Sequence, residues 1–378
     1  MNRLVALDLP GGAAFLEAMT RAHDAGDAVW PVDQRLPVVA QRRLVATLRP
    51  AAVVTPTGAE TPSDDPIPVE EGDAFVVVTS GTTGDPRGVV LTHDAIAASA
   101  EATNARLRVD PDRDRWLCCL PIVHVGGLSV ITRALASKTP LEIHESFDVA
   151  RVVDAARRGA TLISLVPTTC RRLGDEARRF RTILLGGGAI PRDKPPNAVA
   201  TYGMTETASG VVYDGWPIDG VTVRVTDGEI EINAPMLLRC YRDGTDPKRN
   251  GWFKTGDAGR LLDDESIEVF GRTAEVIRSG GEMVWPSPVE ESLRSHPKVR
   301  DAAVVGVADE EWQERVVAVV EADDETPPDL DELRAHVAGQ LGPIAAPREV
   351  IVVDALPRTV IGKVRRDAVR ELASGRRR

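Results

Sequence analysis

The stretch VVVTSGTTGDPRGVVLTH, Val76–His93, breaks an apolar run at Thr79, passes through small and hydroxylated residues to Gly84, meets one cation at Arg87 and turns apolar again. The apolar lead-in reads as a buried strand over Phe75–Thr79. The strand gives way to a loop with backbone N–H groups, serine and threonine hydroxyls and a nearby cation, a composition suited to phosphate. Glycines let the backbone approach an anion without a Cβ in the way. No G-K-[ST] ends the loop, so it is not a Walker A motif. Taken alone, a small-residue loop after a strand is more often a plain connection.

Working outward, Ala74–Gly203 alternates strand and helix. A helix reads at Asp94–Leu107, a strand at Trp116–Leu120 and a helix at Leu128–Ala136. Val149, Val152, Val153 and Ala156 recur at helical spacing, and strands come next at Leu162–Val166 and Thr182–Leu185. This pattern predicts an α/β fold with mostly parallel sheets covered by helices on both faces, and ligands at the carboxyl ends of the strands. The rhythm changes near Gly220, where VTVRVTDGEIEIN alternates with period two around Asp227-Gly228, predicting a hairpin and a small β subdomain. Beyond Glu275, strands at Ala302–Val307, Arg315–Glu321 and Glu349–Val353 and a helix at Leu330–Leu341 predict a small α+β domain. The expected boundary lies near Gly271–Thr273, giving domains 1–271 and 272–378, with a shortened part at 1–70.

The chain has 378 residues, enough for two domains, and its net charge of −11 argues against nucleic acid as the main partner. The basic tail Arg376–Arg378 reads as a solvated terminus. MNRLVALDLPGG lacks the apolar core of a secretory signal, and no run reaches membrane-spanning length. Cys118, Cys119, Cys170 and Cys240 show no metal spacing, which predicts buried thiols in a reducing cytoplasm. Only six of the 46 basic residues are lysines, so each lysine is the unusual choice.

TSGTTGDPRGVVLTH resembles the phosphate loop of the adenylate-forming superfamily, which includes acyl-CoA synthetases, luciferases and peptide-synthetase adenylation domains. The resemblance continues in order through LLGGGAIP (184–191), TYGMTET (201–207), GWFKTGD (251–257), GRTAEVIRSGGEMVWPSPVE (271–290) and LPRTVIGKVRR (356–366). Six motifs cover roughly residues 70–370. The resemblance implies a large N-terminal adenylate-forming domain and a small mobile C-terminal lid. It also implies a two-step reaction: a carboxylate attacks the α-phosphate of ATP, releasing pyrophosphate, and the acyl-adenylate then passes its acyl group to a thiol. Charge neutralisation and positioning carry such chemistry.

By resemblance, Thr79, Ser80, Gly81, Thr82, Thr83 and Gly84 cradle the β- and γ-phosphates, with Arg87 where relatives usually carry lysine. Gly186, Gly187, Gly188 and Ala189 pack on adenine, and Tyr202, followed by Gly203, stacks on it. Thr205 is expected to bond the α-phosphate and Glu206 to hold Mg²⁺, a hard cation that favours carboxylate and phosphate oxygens. Asp257 is expected on the ribose, since a carboxylate accepts from two hydroxyls, and Arg272 on the ribose or phosphate. Lys363 is expected to bridge the carboxylate and α-phosphate in the first half-reaction, a role suited to a compact ammonium. His124 is implied beside the acyl pocket and the phosphates, and Gly280 and Gly281 in a pantetheine tunnel formed when the lid rotates. Ala274 stands where relatives place Asp or Lys at the hinge.

The short region PVDQRLPVVAQRRLVATLRPAAVV (31–54) reads as a compressed remnant of a longer N-terminal part. In this it resembles the compact o-succinylbenzoate–CoA ligases of menaquinone biosynthesis in actinobacteria, as do LPIVHVGGLSVITRAL and SLVPTTCRRL. That similarity implies ATP, Mg²⁺ and CoA, with Ser164, Val166, Pro167 and Thr168 near the acyl pocket. No dedicated arginine for the second carboxylate of succinylbenzoate stands out. Another aryl- or acyl-CoA ligase would share every core motif, and an acyl-adenylate ligase loading a carrier protein would share the first half-reaction. A non-enzymatic relative should have lost Lys363, Glu206 or Asp257, and all are present. Homo-oligomers occur among related enzymes, and no interface is legible here.

Overall fold

The computed structural model of the chain describes residues 2–58, 60–62, 65–79, 86–191, 193–322, 327–358 and 364–375. Ser80, Gly81, Thr82, Thr83, Gly84 and Lys363 lie outside the described residues, as does the Arg376–Arg378 tail. The chain divides into two compact units, one of residues 1–223 and 232–253, the other of 224–231 and 254–378.

The first unit holds two seven-stranded sheets. Its first sheet comprises β1 (Leu4–Leu7), β2 (Ala28–Pro31), β3 (Ala52–Val54), β4 (Glu60–Pro62), β5 (Asp73–Thr79), β6 (Arg87–Thr92) and, from later in the chain, β16 (Cys240–Tyr241). The spatial order is β16-β6-β5-β2-β1-β3-β4. β3, β1, β2 and β5 run parallel, whereas β6, β16 and β4 are antiparallel additions at the flanks. The second sheet is built of β7 (Trp116–Cys118), β8 (Leu141–Ile143), β9 (Leu162–Leu165), β10 (Thr182–Leu185), β11 (Ala198–Met204), β12 (Ser209–Tyr213) and β13 (Trp216–Pro217). It is parallel from β8 through β7, β9 and β10 to β11, then turns antiparallel.

Leu117, Ile163, Leu165, Ile183 and Leu185 share one core with Val152, Ala155 and Phe180 from the covering helical segments. Strands buried on both faces read as unbroken apolar runs, which is why these were legible. Each fully buried Leu or Ile contributes roughly 1.5–3 kcal/mol. Helices begin where a side chain takes an orphan N–H: Thr92 accepts from Ala95 to open α3 (His93–Leu107), and Asp148 accepts from Arg151 to open α5 (Val149–Arg157). The other helices of this unit are α1 (Ala13–Asp24), α2 (Val38–Leu48), α4 (Val125–Ser137) and α6 (Pro167–Leu173). The segment 31–54, read from sequence as a remnant, carries the end of β2, α2 and β3, which with β1 and α1 form a parallel section beside β5.

β14 (Thr222–Thr226) and β15 (Glu229–Asn233) make the expected hairpin. Asp227 and Gly228 at its turn have φ of 52° and 80°, the double positive φ of a type I′ turn. With β17 (Phe253–Leu261) and β18 (Ile267–Arg272) they form a four-stranded sheet. The second unit continues with β19 (Ile277–Ser279), β20 (Glu282–Val284), α7 (Pro286–Arg294), β21 (Val299–Asp309), β22 (Gln313–Ala322), α8 (Leu330–Leu341), β23 (Glu349–Val353) and α9 (Arg366–Gly375). Asp329 caps α8 through the Glu332 N–H. Val304, Val316, Ala318, Val320, Leu333 and Val337 pack one core of this α+β unit. Among the described residues no helix is long and apolar enough to cross a membrane, and the four cysteines are free and buried.

Candidate active site

In the first unit the expected residues gather at the carboxyl ends of parallel strands, where an α/β sheet offers its crevice. Thr79 ends β5 and is the register partner of Arg87, which opens β6. His124 comes after β7, Val166–Thr168 after β9, Gly186–Ala189 after β10, and Thr205 and Glu206 after β11.

Arg87 and Glu206 are linked through a residue that no sequence motif marks. The Arg87 guanidinium lies 5.0 Å from the ring centroid of Tyr241, whose hydroxyl donates to Glu206 Oε1 at 3.2 Å. Burial, then the Glu206 carboxylate, pushes the Tyr241 phenol up to about 12, so it stays a donor. Pairing of Tyr241 with Val89 fixes this row, and the Leu238 N–H donates to Glu206 O at 2.8 Å. The signal available in the sequence was scarcity: the chain has three tyrosines.

The turn carrying Thr205 and Glu206 is strained and clamped. Ala208 and Ser209 take φ of 52° and 146°, positive values that L residues rarely adopt, costing on the order of 1–3 kcal/mol each. Arg133, 2% exposed on α4, donates to Ser209 Oγ at 2.6 Å, and Thr207 Oγ1 accepts the Met204 N–H at 2.9 Å. Gly203 fits because a Cβ there would lie 2.1 Å from Ser209 O. Gly187, at φ 76°, brings its segment against Val166. Ser164 is buried with no partner for its hydroxyl, an orphaned polar atom at the expected acyl pocket.

His124 immediately precedes α4, and its Nε2 lies 3.3 Å from Arg35 Nη2. Arg35 also grips Asp33, Nε to Oδ1 at 2.7 Å and Nη2 to Oδ2 at 2.8 Å. Although burial pushes the other way, these bonds hold the Asp33 carboxyl below its ordinary value. Asp33 and Arg35 come just after β2, and Arg35 is 89 residues from His124, so no local pattern announces the contact.

In the second unit Asp257 and Arg272 are register partners across β17 and β18, with Arg272 Nε 3.1 Å from Asp257 Oδ1. Arg272 Nη1 also donates to Thr255 O at 2.9 Å. Gly280 and Gly281, φ 62° and 85°, turn the β19–β20 hairpin, and a Cβ on Gly280 would meet the Trp312 ring at 2.9 Å. The described residues before and after Lys363 are anchored. Arg358 pairs with Asp301 at 2.6 Å, Arg365 N–H donates to Pro357 O at 2.8 Å, and Arg366 pairs with Glu290 at 2.6 Å and Glu275 at 2.8 Å. Glu275, beside Ala274, has its carboxyl raised by burial.

These features define an α/β protein whose motif residues in the first unit follow the carboxyl ends of parallel strands. The AMP-binding enzyme family matches residues 56–241, and the AMP-binding enzyme C-terminal domain matches residues 288–363. A probable 2-succinylbenzoate–CoA ligase of Mycobacterium tuberculosis is 42% identical over 327 residues, covering 80% of this chain and 85% of that protein. The o-succinylbenzoate CoA synthetase of Bacillus subtilis, solved with its acyl-adenylate intermediate, is 27% identical with a TM-score of 0.85, covering 97% of this chain and 87% of that one. An amide bond synthetase from Marinactinospora thermotolerans, 24% identical with a TM-score of 0.87, covers 98% of this chain and 90% of its own. Its likeness is one of fold alone. The chain belongs to the AMP-binding enzyme family, whose members here are AMP-forming ligases.

Proposed function

We propose that this chain is an ATP-dependent acid–thiol ligase that joins 2-succinylbenzoate to CoA in menaquinone biosynthesis. A substrate carboxylate oxygen attacks the α-phosphorus of ATP, forming the acyl-adenylate and releasing pyrophosphate. The CoA thiol then attacks the acyl carbonyl and AMP leaves. The observation that carries the choice of acid is the 42% identity to the mycobacterial 2-succinylbenzoate–CoA ligase. Ser164, Val166, Pro167, Thr168 and His124 are assigned to the acyl pocket, and they lie at or just after the ends of β9 and β7.

Thr79 with the loop 80–84 would hold the β- and γ-phosphates. Gly186–Ala189, Tyr202 and Gly203 would hold adenine, Thr205 the α-phosphate, and Asp257 with Arg272 the ribose. The second unit, with 272–378 as its moving part, would bring Lys363 to the first half-reaction and Gly280 and Gly281 to the second. Glu206 suits Mg²⁺, which takes one or two carboxylates and fills its shell with phosphate oxygens and water. Among the described residues no group of three or more His, Cys, Asp or Glu could hold a metal by itself, so a metal at Glu206 would draw its other ligands from the nucleotide and water.

Pyrophosphate release from Mg·ATP, measured with o-succinylbenzoate, benzoates and fatty acids, each with and without CoA, tests the reading. Turnover with o-succinylbenzoate and CoA to the thioester is expected. Turnover with another acid alone would keep the ligase and remove the pathway. Adenylate formation with an acid but no thioester when CoA is supplied would overturn the CoA-ligase reading and favour loading of a carrier protein.

A further inference from the structure

A guanidinium has five N–H donors, no lone pair, and keeps its proton at any pH a protein survives. Arg35 can therefore only donate to His124, and the Nε2 it faces at 3.3 Å must accept. The imidazole then carries its proton on Nδ1. A second proton on Nε2 would break that bond and set an imidazolium against the guanidinium, with the Asp33 carboxylate, which also interacts with His124, drawing the other way. The imidazolium would also stand at the positive end of α4, which His124 precedes.

Arg35 is itself held. Besides the two-point grip on Asp33, the Arg35 N–H donates to Asp33 Oδ1 at 3.0 Å. Gln41 Nε2 donates to Asp33 O and Leu36 O, both at 3.2 Å, and Gln34 Nε2 to Asp8 O at 3.1 Å. The loop after β2 is thus tied to the sheet end and to α2, and the planar fork leaves Arg35 little rotational freedom.

We infer that Asp33 and Arg35 are positioning residues that hold His124 as the neutral Nδ1–H tautomer in a fixed ring plane, so that the imidazole serves as an N–H donor to a carboxylate-derived oxygen of the bound acid. The tautomer rests on the geometry alone, and the use made of it rests on the ligase reading. A neutral donor orients the acid without pairing with it as an ion, so the carboxylate stays nucleophilic toward phosphorus.

Histidine-selective ¹⁵N NMR of the whole chain at neutral pH tests the first half, with His124→Asn assigning the signal among six histidines. The expected spectrum shows a protonated Nδ1 and an unprotonated Nε2. An Nε2–H tautomer or an imidazolium would overturn the inference. Arg35→Met should restore a tautomer mixture, and Arg35→Lys, which keeps a cationic donor, should preserve much of the Nδ1–H form. Asp33→Asn, which loosens the grip only, should shift the spectrum the same way to a smaller extent. In acid-dependent pyrophosphate release, Arg35→Met should lower kcat on the order of 10- to 100-fold, as small misplacements do, with the KM for ATP unchanged. Arg35→Met combined with His124→Asn should be no worse than His124→Asn alone, because the arginine acts through the histidine. Additive losses would mark a merely structural role and overturn the inference. A chain with the Nδ1–H tautomer that activates no acid supports the clamp and overturns the ligase reading, which separates the two.

Discussion

Tyr241 determines what the Glu206 carboxylate faces. Its hydroxyl occupies one lone pair of Oε1, and the proposed function gives the remaining lone pairs to Mg²⁺. Tyr241→Phe is expected to raise the Mg²⁺ concentration needed for half-maximal adenylation about tenfold, since a hydrogen bond to a charged group contributes about 1.5 kcal/mol. An unchanged magnesium dependence would show that the hydroxyl is idle. Lys363 rests on sequence alone: in a chain with six lysines, the one inside LPRTVIGKVRR is a compact charge on a flexible stem. Lys363→Ala is expected to slow adenylate formation by about 10²–10³-fold, the usual loss on removing a positioned charge. Transfer to CoA from supplied acyl-adenylate should survive. Equal loss in both half-reactions would remove the assigned role. Asp257 and Glu206 were singled out because each stands in a short contiguous motif, GWFKTGD and TYGMTET, that is read without knowing what it meets in space. Arg35 and Tyr241 were not, because their partners lie 89 and 35 residues away.

At the scale of elements, close backbone approach decides which residues the site tolerates. Gly203 sits in β11 where that strand shifts register against β12, and its Cα faces the Ser209 carbonyl. Gly203→Ala would force backbone against backbone, and such overpacking costs about 1–3 kcal/mol. The urea midpoint should fall, and adenylation should fall with it because Tyr202 and Thr205 are displaced together. A variant of normal stability and activity would show that β12 yields easily. β10, α8 and β23 were read from sequence with their observed ends, each a clear apolar period between polar or turn residues. β1, β2 and β3 escaped notice. Runs such as LVAL and AVWP are too short for a period to be read, and only their parallel insertion beside β5 buries them.

For the whole molecule, the acid side is where stability should fail. His23 is held below its ordinary value of 6.5 chiefly by burial, so folding favours its neutral form; His296 shifts the same way. That contribution is full above the unfolded value and declines as pH falls through it. Asp114 and Asp301 are held low by Arg181 and Arg358 against the opposing effect of burial, so they stabilise above the ordinary carboxylate range and lose this as pH falls toward their folded values. Glu275, raised by burial, works in the opposite direction but is outnumbered. Both units carry groups of each kind, so Tm should hold between about pH 7 and 8, decline from about 6.5, and drop more steeply below about 4. A Tm flat from pH 8 to 5 would contradict the histidine part, and His23→Gln should remove some of it.

The sequence by itself determined the class of chemistry, the order of the motifs and the α/β alternation, because glycine-rich loops and apolar periods are local patterns that constrain their own backbone. Only the tertiary structure decided that the N-terminal segment completes a parallel sheet beside β5. The same holds for Tyr241 meeting Glu206 and for Arg35 reaching His124. Those contacts join residues from different strand ends, and a pairing across tens of residues exists only once the sheets have assembled.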